Sequence, residues 1–271
     1  MTPPLYLLDP WPRTLAPGDR VQLTGDEGRH AATVRRSRAG ERIDVADGLG
    51  RRARCVVSSA GTHQLQLEVI EVLDDPAPDP ALVLVQALAK GGRDEQAVES
   101  ATELDVDEVL PWQARRSVVI WSGERGRRSL QKWRTVVRAA AKQARRSRVP
   151  HVGEVLDGAA LARVAGDVVA SGGLVLVLHE AAQQPLTEVP VDRCTGRCLV
   201  VVGPEGGVED GELAALVAVG ALPVRLGGTV LRSSSAGPAA LAVLNARLGR
   251  WAGRGDGAQA PVSVLPDTLP E

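Results

Sequence analysis

The sequence predicts an α/β protein in which a small β-barrel precedes a domain built on a parallel sheet. Two regions that differ in the pattern of their apolar residues, and the proline-rich stretch between them, predict this fold. Short, partly alternating apolar runs fill residues 1–73, wholly apolar runs followed by helical patterns fill 81–251, and a proline-rich stretch separates them. Apolar strands that alternate with helices are typical of a parallel sheet covered on both faces. We therefore predict two domains joined by an interdomain linker at 74–80.

The N-terminal runs predict the strands of the barrel. They lie at 21–23, 42–46, 53–57 and 65–72, and glycine-containing turns separate them. In the last run, Leu65, Leu67 and Val69 alternate with polar residues, which is the period of a half-buried strand. Several short strands within about 70 residues favour a small barrel.

The second domain is predicted from six apolar runs and one long helix. The runs lie at 82–88, 106–110, 118–121, 174–178, 199–202 and 223–226. Apolar residues at helical spacing predict the helix at 127–146. Arg134, Arg138 and Lys142 line its other side. Residues 252–271 are rich in glycine, proline and alanine without periodicity, so we predict a disordered tail there.

Composition narrows the classes of function. The chain has 271 residues, 44% of them hydrophobic and 24% charged, and a net charge of −1, which is typical of a globular protein. No apolar run reaches the roughly 18 residues that span a bilayer, and the first residues have no leader pattern. Three cysteines are too few for a disulfide framework or a four-ligand zinc site. We therefore expect a cytoplasmic protein with no membrane contact and no metal.

The charge is strongly segregated along the chain. Residues 115–148 hold twelve basic residues against one acid, and residues 29–54 hold eight arginines against three acids. Such segregation builds a positive patch on a protein that is nearly neutral overall, which is typical of a protein that binds a polyanion. A basic helix that is merely solvated is the alternative.

Three loops at the ends of predicted strands are candidate binding loops. They are 178–180, 203–207 and 226–236. Ligands of open parallel sheets bind beyond the carboxyl ends of the strands, and glycines let the backbone approach a ligand closely. The patterns GxGxxG and GxxxxGK[ST] are absent from the sequence, which disfavours the common dinucleotide and triphosphate cradles.

Two of these loops carry a recognisable pattern. Residues 203–207 read GPEGG, and residues 225–236 read RLGGTVLRSSSA. Together they resemble the RsmE-type uracil-N3 methyltransferases of 16S ribosomal RNA, which belong to the knotted SPOUT superfamily. Further landmarks of that family are matched by 25–36, 86–90, 101–111, 116–117 and 146–150, so the resemblance covers nearly the whole chain.

The resemblance implies both architecture and activity. It implies a PUA-like RNA-binding barrel followed by a SPOUT-type knotted parallel-sheet methyltransferase domain. That domain is expected to bind S-adenosyl-L-methionine in a trefoil knot, to act as a homodimer, and to methylate uracil N3 in small-subunit ribosomal RNA.

Site residues follow from the loops, the resemblance and the charge pattern. The expected cofactor-binding residues are Leu178, His179, Gly203, Glu205, Gly206, Leu226, Gly227, Val230 and Leu231. The expected RNA contacts are Arg35, Arg36, Arg116, Arg134, Arg138, Lys142, Arg145 and Arg146. Arg232 ends the cofactor loop and is the catalytic candidate; its alternative role is a structural salt bridge to Glu205. No histidine or carboxylate is placed by the sequence as a general base.

The chain departs from the family pattern at two places. Ser234 stands where the family often has a carboxylate, and residues 3–6 read PPLY where many members have an arginine. Two alternative functions remain open: a SPOUT RNA methyltransferase of other specificity, such as ribose 2′-O, and a catalytically silent RNA-binding protein. Three loops at strand ends, two of them rich in glycine, favour an enzyme over the silent binder.

Overall fold

The computed structural model describes residues 2–252 and contains two sheets. The first has five strands in the order β1-β3-β4-β5-β2, and the second has six in the order β11-β9-β10-β6-β7-β8. Apart from Ala252, the predicted tail at 252–271 lies outside the described residues.

The N-terminal sheet is strongly curled. Its elements are β1 Leu5–Leu7, β2 Arg20–Leu23, a short helix α1 Gly25–Arg29 that runs into a π-helical turn His30–Val34, β3 Arg42–Ala46, β4 Arg51–Ala60 and β5 Leu65–Asp74. Irregularities at 54/55 and 57/59 in the β4–β5 register bend the ladder. Tyr6 of β1 and Leu23 of β2 share one buried core, although these two edge strands do not pair within the described residues.

The second sheet is wholly parallel and has helices on both faces, as predicted. Its strands are β6 Ala81–Ala87, β7 Glu108–Trp112, β8 His151–Val152, β9 Leu174–Leu178, β10 Arg197–Val202 and β11 Leu222–Val224. Its helices are α2 Arg93–Glu103, α3 Gly123–Gln143, α4 Gly158–Ala170, α5 Asp210–Ala218 and α6 Ser233–Arg247. Along β6, Leu84 faces one core and Val83 and Val85 face the other. The trefoil knot stays a prediction.

One predicted strand is wrong. Residues 118–121 form an irregular loop between β7 and α3, in which Val118 and Ile120 are 72% and 61% exposed. Val119 and Trp121 are partly buried against the core, and Trp121 packs edge-on against Trp133 at 5.2 Å. The short apolar run therefore resembles a strand in sequence, although the chain here has no strand partner in the described sheets and alternates between core and solvent. The strands β1 and β8, with three and two residues, are too short to show a period.

The connection between the two sheets is held in place by polar contacts. Residues 75–80 join β5 to β6, and the backbone carbonyl of Asp75 accepts a hydrogen bond from Arg148 Nη2 at 2.7 Å. The Asp75 carboxylate also accepts from the Ser147 hydroxyl. A further tie is the ion pair between Lys142 Nζ of α3 and Glu27 Oε1 of α1, at 2.7 Å. The long basic helix thus packs against the N-terminal sheet as well as its own.

Residues 2–252 contain no helix that is both long and apolar enough to cross a membrane.

Candidate cofactor cleft and nucleic-acid interface

A cleft of about 750 Å³ lies where the three predicted binding loops meet. It opens beyond the carboxyl ends of β9, β10 and β11, of which β9 is bonded to both others. All nine predicted cofactor residues line it: Leu178, His179, Gly203, Glu205, Gly206, Leu226, Gly227, Val230 and Leu231. The structure therefore brings together residues that lie up to 53 positions apart in the chain, from 178 to 231.

The glycines of the cleft serve different purposes. A Cβ on Gly203 would lie 2.8 Å from Val208 Cγ2, so this position is kept small by the fold itself. Gly207 has a φ of 75°, which favours glycine. At Gly227 and Gly228, a Cβ would meet nothing within 4 Å. Gly227 lines the cleft, so its backbone is open there to the close approach of a ligand.

Arg232 lies at the cleft and is exposed, as the N-cap residue of α6. The alternative of a salt bridge to Glu205 is wrong, because Glu205 Oε1 pairs with Arg93 Nη1 at 3.0 Å. Within residues 2–252, Arg232 forms no ion pair. Its guanidinium is therefore available to a ligand in the cleft.

Arg93 is a cleft residue that sequence reasoning missed. It begins α2 just after the loop that follows β6, and β6 neighbours β10 in the sheet. Asp94, 5% exposed, shapes this loop by accepting hydrogen bonds from the backbone N–H groups of Ala89 and Glu95. Burial raises the pKa of the Asp94 carboxyl above its ordinary value. Applying the strand-end rule to β6 as well would have found this loop.

Arg116 lies in a different place from the one expected. The sequence groups it with the expected RNA contacts of the basic stretch 115–148, but its side chain lines the cleft. Its Nη1 donates a hydrogen bond to the carbonyl of Gly206 at 3.2 Å. A Cβ on Gly206 would lie 3.3 Å from the Cβ of Arg116, so the arginine covers the glycine turn closely.

His179 is held as a part of the cleft wall. Its backbone N–H donates to the carbonyl of Val224 in β11 at 2.9 Å, and its Nδ1 accepts from the N–H of Ala181 at 3.2 Å. The second bond orients the ring and places the proton of a neutral imidazole on Nε2.

The predicted RNA contacts divide into paired and unpaired cations. Arg134 pairs with Glu154 at 2.9 Å and Lys142 with Glu27. Arg146 is 9% exposed, pairs with Asp105 at 3.5 Å and donates to the carbonyl of Thr102 at 2.7 Å. The Arg146 side chain is thus buried in a structural ion pair and is not placed to contact RNA.

The remaining predicted contacts form an exposed group that we call the basic surface. Its members are Arg35, Arg36, Arg138 and Arg145, none of which forms an ion pair within the part of the chain that the structure describes. The Lys142–Glu27 pair holds α3 against α1, and so places the two basic stretches of the chain side by side.

Comparison with known proteins decides the family. A family model described as an RNA methyltransferase domain matches residues 76–245, and one described as an RNA methyltransferase PUA domain matches residues 23–70. Ribosomal RNA small subunit methyltransferase E of Mycobacterium bovis is 45% identical over 247 residues, which are 91% of this chain and 93% of that protein. The chain belongs to the RNA methyltransferase E family. The predicted family and the predicted order of domains are thereby confirmed.

Solved structures agree with this assignment. The methyltransferase E of Neisseria gonorrhoeae, crystallised with S-adenosyl methionine, is 26% identical and superposes with a TM-score of 0.77 over 91% of this chain and 98% of that one. A putative methyltransferase from Legionella pneumophila, also with the bound cofactor, gives the same identity, TM-score and coverage.

The departures from the family pattern lie in the first turn of α6 and in the first strand. Ser234, at the position of the family carboxylate, is 6% exposed in the first turn of α6, next to Arg232. Tyr6, within the stretch that lacks the arginine, is 2% exposed in β1. In this methyltransferase a buried hydroxyl and a buried ring therefore occupy these two positions.

Proposed function

We propose that this enzyme transfers a methyl group from S-adenosyl-L-methionine to N3 of a uracil in 16S ribosomal RNA of the small subunit. The observation that carries the proposal is the cleft: nine residues predicted as cofactor contacts and an unpaired arginine, Arg232, meet there. The Mycobacterium bovis relative named above supports the reaction, because it is named as a ribosomal RNA small subunit methyltransferase.

The cleft suits the cofactor in size and in chemistry. Its volume of about 750 Å³ lies within the range of small-molecule sites. The open backbone at Gly227 and the backbones of Leu178 and Gly203 would hold the adenosine and the amino acid portions. When bound, the cofactor supplies an activated methyl group on a sulfonium sulfur. The task of the chain is to align that methyl with the nucleophile.

The nucleophile must lose a proton before or during transfer. Uracil N3–H is a weak acid, and the charge of its anion spreads over O2 and O4. A fixed cation near those oxygens favours the reactive anion. Arg232 serves this purpose because it lines the cleft, is exposed, and forms no ion pair within residues 2–252.

The RNA is proposed to bind across both domains. Arg138 and Arg145 of the basic surface contact phosphates from the second domain, and Arg35 and Arg36 do so from the N-terminal sheet. Phosphate contacts position an RNA without specifying a base, so the target uracil is selected by RNA shape.

We also propose a cytoplasmic homodimer. The exposed apolar side chains Val118 and Ile120, on the loop that carries Arg116, provide a surface for a second copy to cover. Sedimentation equilibrium of the purified protein tests this, and a monomer at micromolar concentration would contradict it.

Mass mapping of methylated nucleosides in small-subunit RNA tests the reaction. RNA from cells that contain the protein is expected to carry a 3-methyluridine that is lost when the gene is deleted and restored by the wild-type chain. Loss of a 2′-O-methyl nucleoside instead would show a different specificity. If deletion of the gene changed no methylated nucleoside, the result would favour the alternative of a catalytically silent RNA-binding protein.

A further inference from the structure

Glu212 is a buried carboxyl group that the proposed chemistry does not use. It lies in the first turn of α5 and is 7% exposed. Its Oε1 accepts a hydrogen bond from the backbone N–H of Arg115 at 3.0 Å, and its buried Oε2 has no donor among the described residues. Burying a carboxyl group with so few hydrogen-bond donors costs free energy of folding. The one group that it does bind, the N–H of Arg115, is therefore the place to look for its role.

Two helices fix where this carboxyl group lies. The side chain of Glu209 caps α5 by accepting hydrogen bonds from the N–H groups of Gly211 and Glu212. Gly158, the first residue of α4, leaves room for it, since a Cβ there would lie 3.2 Å from Glu212 Oε1. Glu212 is thereby aimed at the loop that follows β7.

The loop held by Glu212 presents Arg116 to the cleft. The N–H of Ser117 donates to the carbonyl of Ala114 at 3.0 Å, which closes a turn over 114–117. The N–H of Arg115 is not used in that turn and donates a hydrogen bond to the Glu212 carboxyl group. The next side chain, Arg116, reaches the carbonyl of Gly206. The anchor and the cleft contact are thus adjacent residues of one turn.

We propose that Glu212 is a positioning residue for RNA substrate. By holding the N–H of Arg115, it fixes the Arg116 guanidinium over the glycine turn at 203–207. One guanidinium N–H is used on Gly206, and the others bind the phosphate beside the target nucleotide. This inference rests on the proposed function, because it assigns the RNA side of the same cleft.

A double-mutant cycle tests the proposal in the full chain. Glu212→Met keeps the length of the side chain and removes the acceptor, and Arg116→Ala removes the guanidinium. Single-turnover methylation at saturating S-adenosylmethionine gives the RNA concentration at half-maximal rate. We expect each substitution to raise that concentration about tenfold, as for loss of one positioned ionic contact. The double variant should be no worse than Arg116→Ala alone, because Glu212 acts through Arg116.

Conservative variants and a stability control separate positioning from folding. Glu212→Gln keeps an acceptor for Arg115 and should restore the wild-type RNA dependence. Val191→Ala shortens a buried side chain that lies in a different core cluster and does not line the cleft, and should lower the melting temperature without changing the RNA dependence. Should Glu212→Met not fold, Glu212→Asp, which withdraws the acceptor by one methylene, takes its place.

Two results would overturn the inference. One is a Glu212→Met variant that changes the melting temperature alone; the other is an equal further loss in the Arg116→Ala background. The same double-mutant cycle can be measured on RNA affinity by fluorescence anisotropy, which does not depend on methyl transfer. A wild-type chain that bound RNA with this coupling but made no 3-methyluridine would therefore refute the proposed reaction and leave the positioning role supported.

Discussion

The cofactor cleft and helix α3 use arginine in opposite ways. Arg232 in the cleft is exposed and makes no ion pair within residues 2–252, whereas Arg134 and Arg146 at α3 are paired with Glu154 and Asp105. A paired arginine ties protein elements together, and an unpaired one can offer its charge to a ligand. The number of basic residues in a stretch of chain therefore does not show which of them are unpaired, whereas the positions of the carboxylates around them do.

The largest expected effect is at the unpaired cation of the cleft. Arg232→Ala should lower the single-turnover rate of methyl transfer by about 10²–10³-fold, as for removal of one donor that stabilises developing negative charge. Affinity for S-adenosylmethionine should stay within a few fold, and the melting temperature should not change, because the side chain is exposed and has no ion pair to lose within the described chain. A near-normal rate would show that Arg232 is not catalytic.

Two glycines sharpen the description of the cleft. Gly227→Val should abolish binding of S-adenosylmethionine in calorimetry and keep the wild-type melting temperature, because the space around this position is open. Gly203→Val should lower the melting temperature as well, because its side chain would collide with Val208. Unchanged affinity in Gly227→Val would remove the loop at 226–232 from the cofactor site.

A paired arginine at the end of α3 should behave as a structural residue. Arg146→Met leaves Asp105 without its buried partner and should reduce the free energy of unfolding by about 3 kcal/mol in urea denaturation. RNA affinity of the folded fraction should be unchanged. A loss of affinity at wild-type stability would return Arg146 to the RNA contacts.

The smallest effects are expected on the basic surface. Arg138→Gln and Arg145→Gln should each weaken RNA binding a few fold and reduce the slope of log K against log salt by up to about one unit. Arg163→Gln, an equal change of charge at an exposed position on α4, is the matched control and should leave the slope unchanged. A slope that responds equally to all three substitutions would mean that net charge, not this surface, attracts RNA.

The sequence by itself determined most of the strands and the meeting of three strand-end loops at one cleft. Strands 42–46 and 174–178 were predicted at their observed bounds, because the apolar pattern of a strand records its burial directly. The loops at 178–180, 203–207 and 226–232 could be placed together because the ends of neighbouring parallel strands meet at one edge of a sheet. That rule needs no knowledge of side-chain contacts.

Only the tertiary structure decided which charged groups line the cleft. The sequence placed Arg116 with the basic helix and missed Arg93, whereas the folded chain brings both to the cleft from loops after β6 and β7. In the folded chain, Glu205 forms its ion pair with Arg93 instead of with Arg232. An ion pair depends on distances of a few ångströms between residues far apart in the chain, here 112 positions, and no local pattern encodes them.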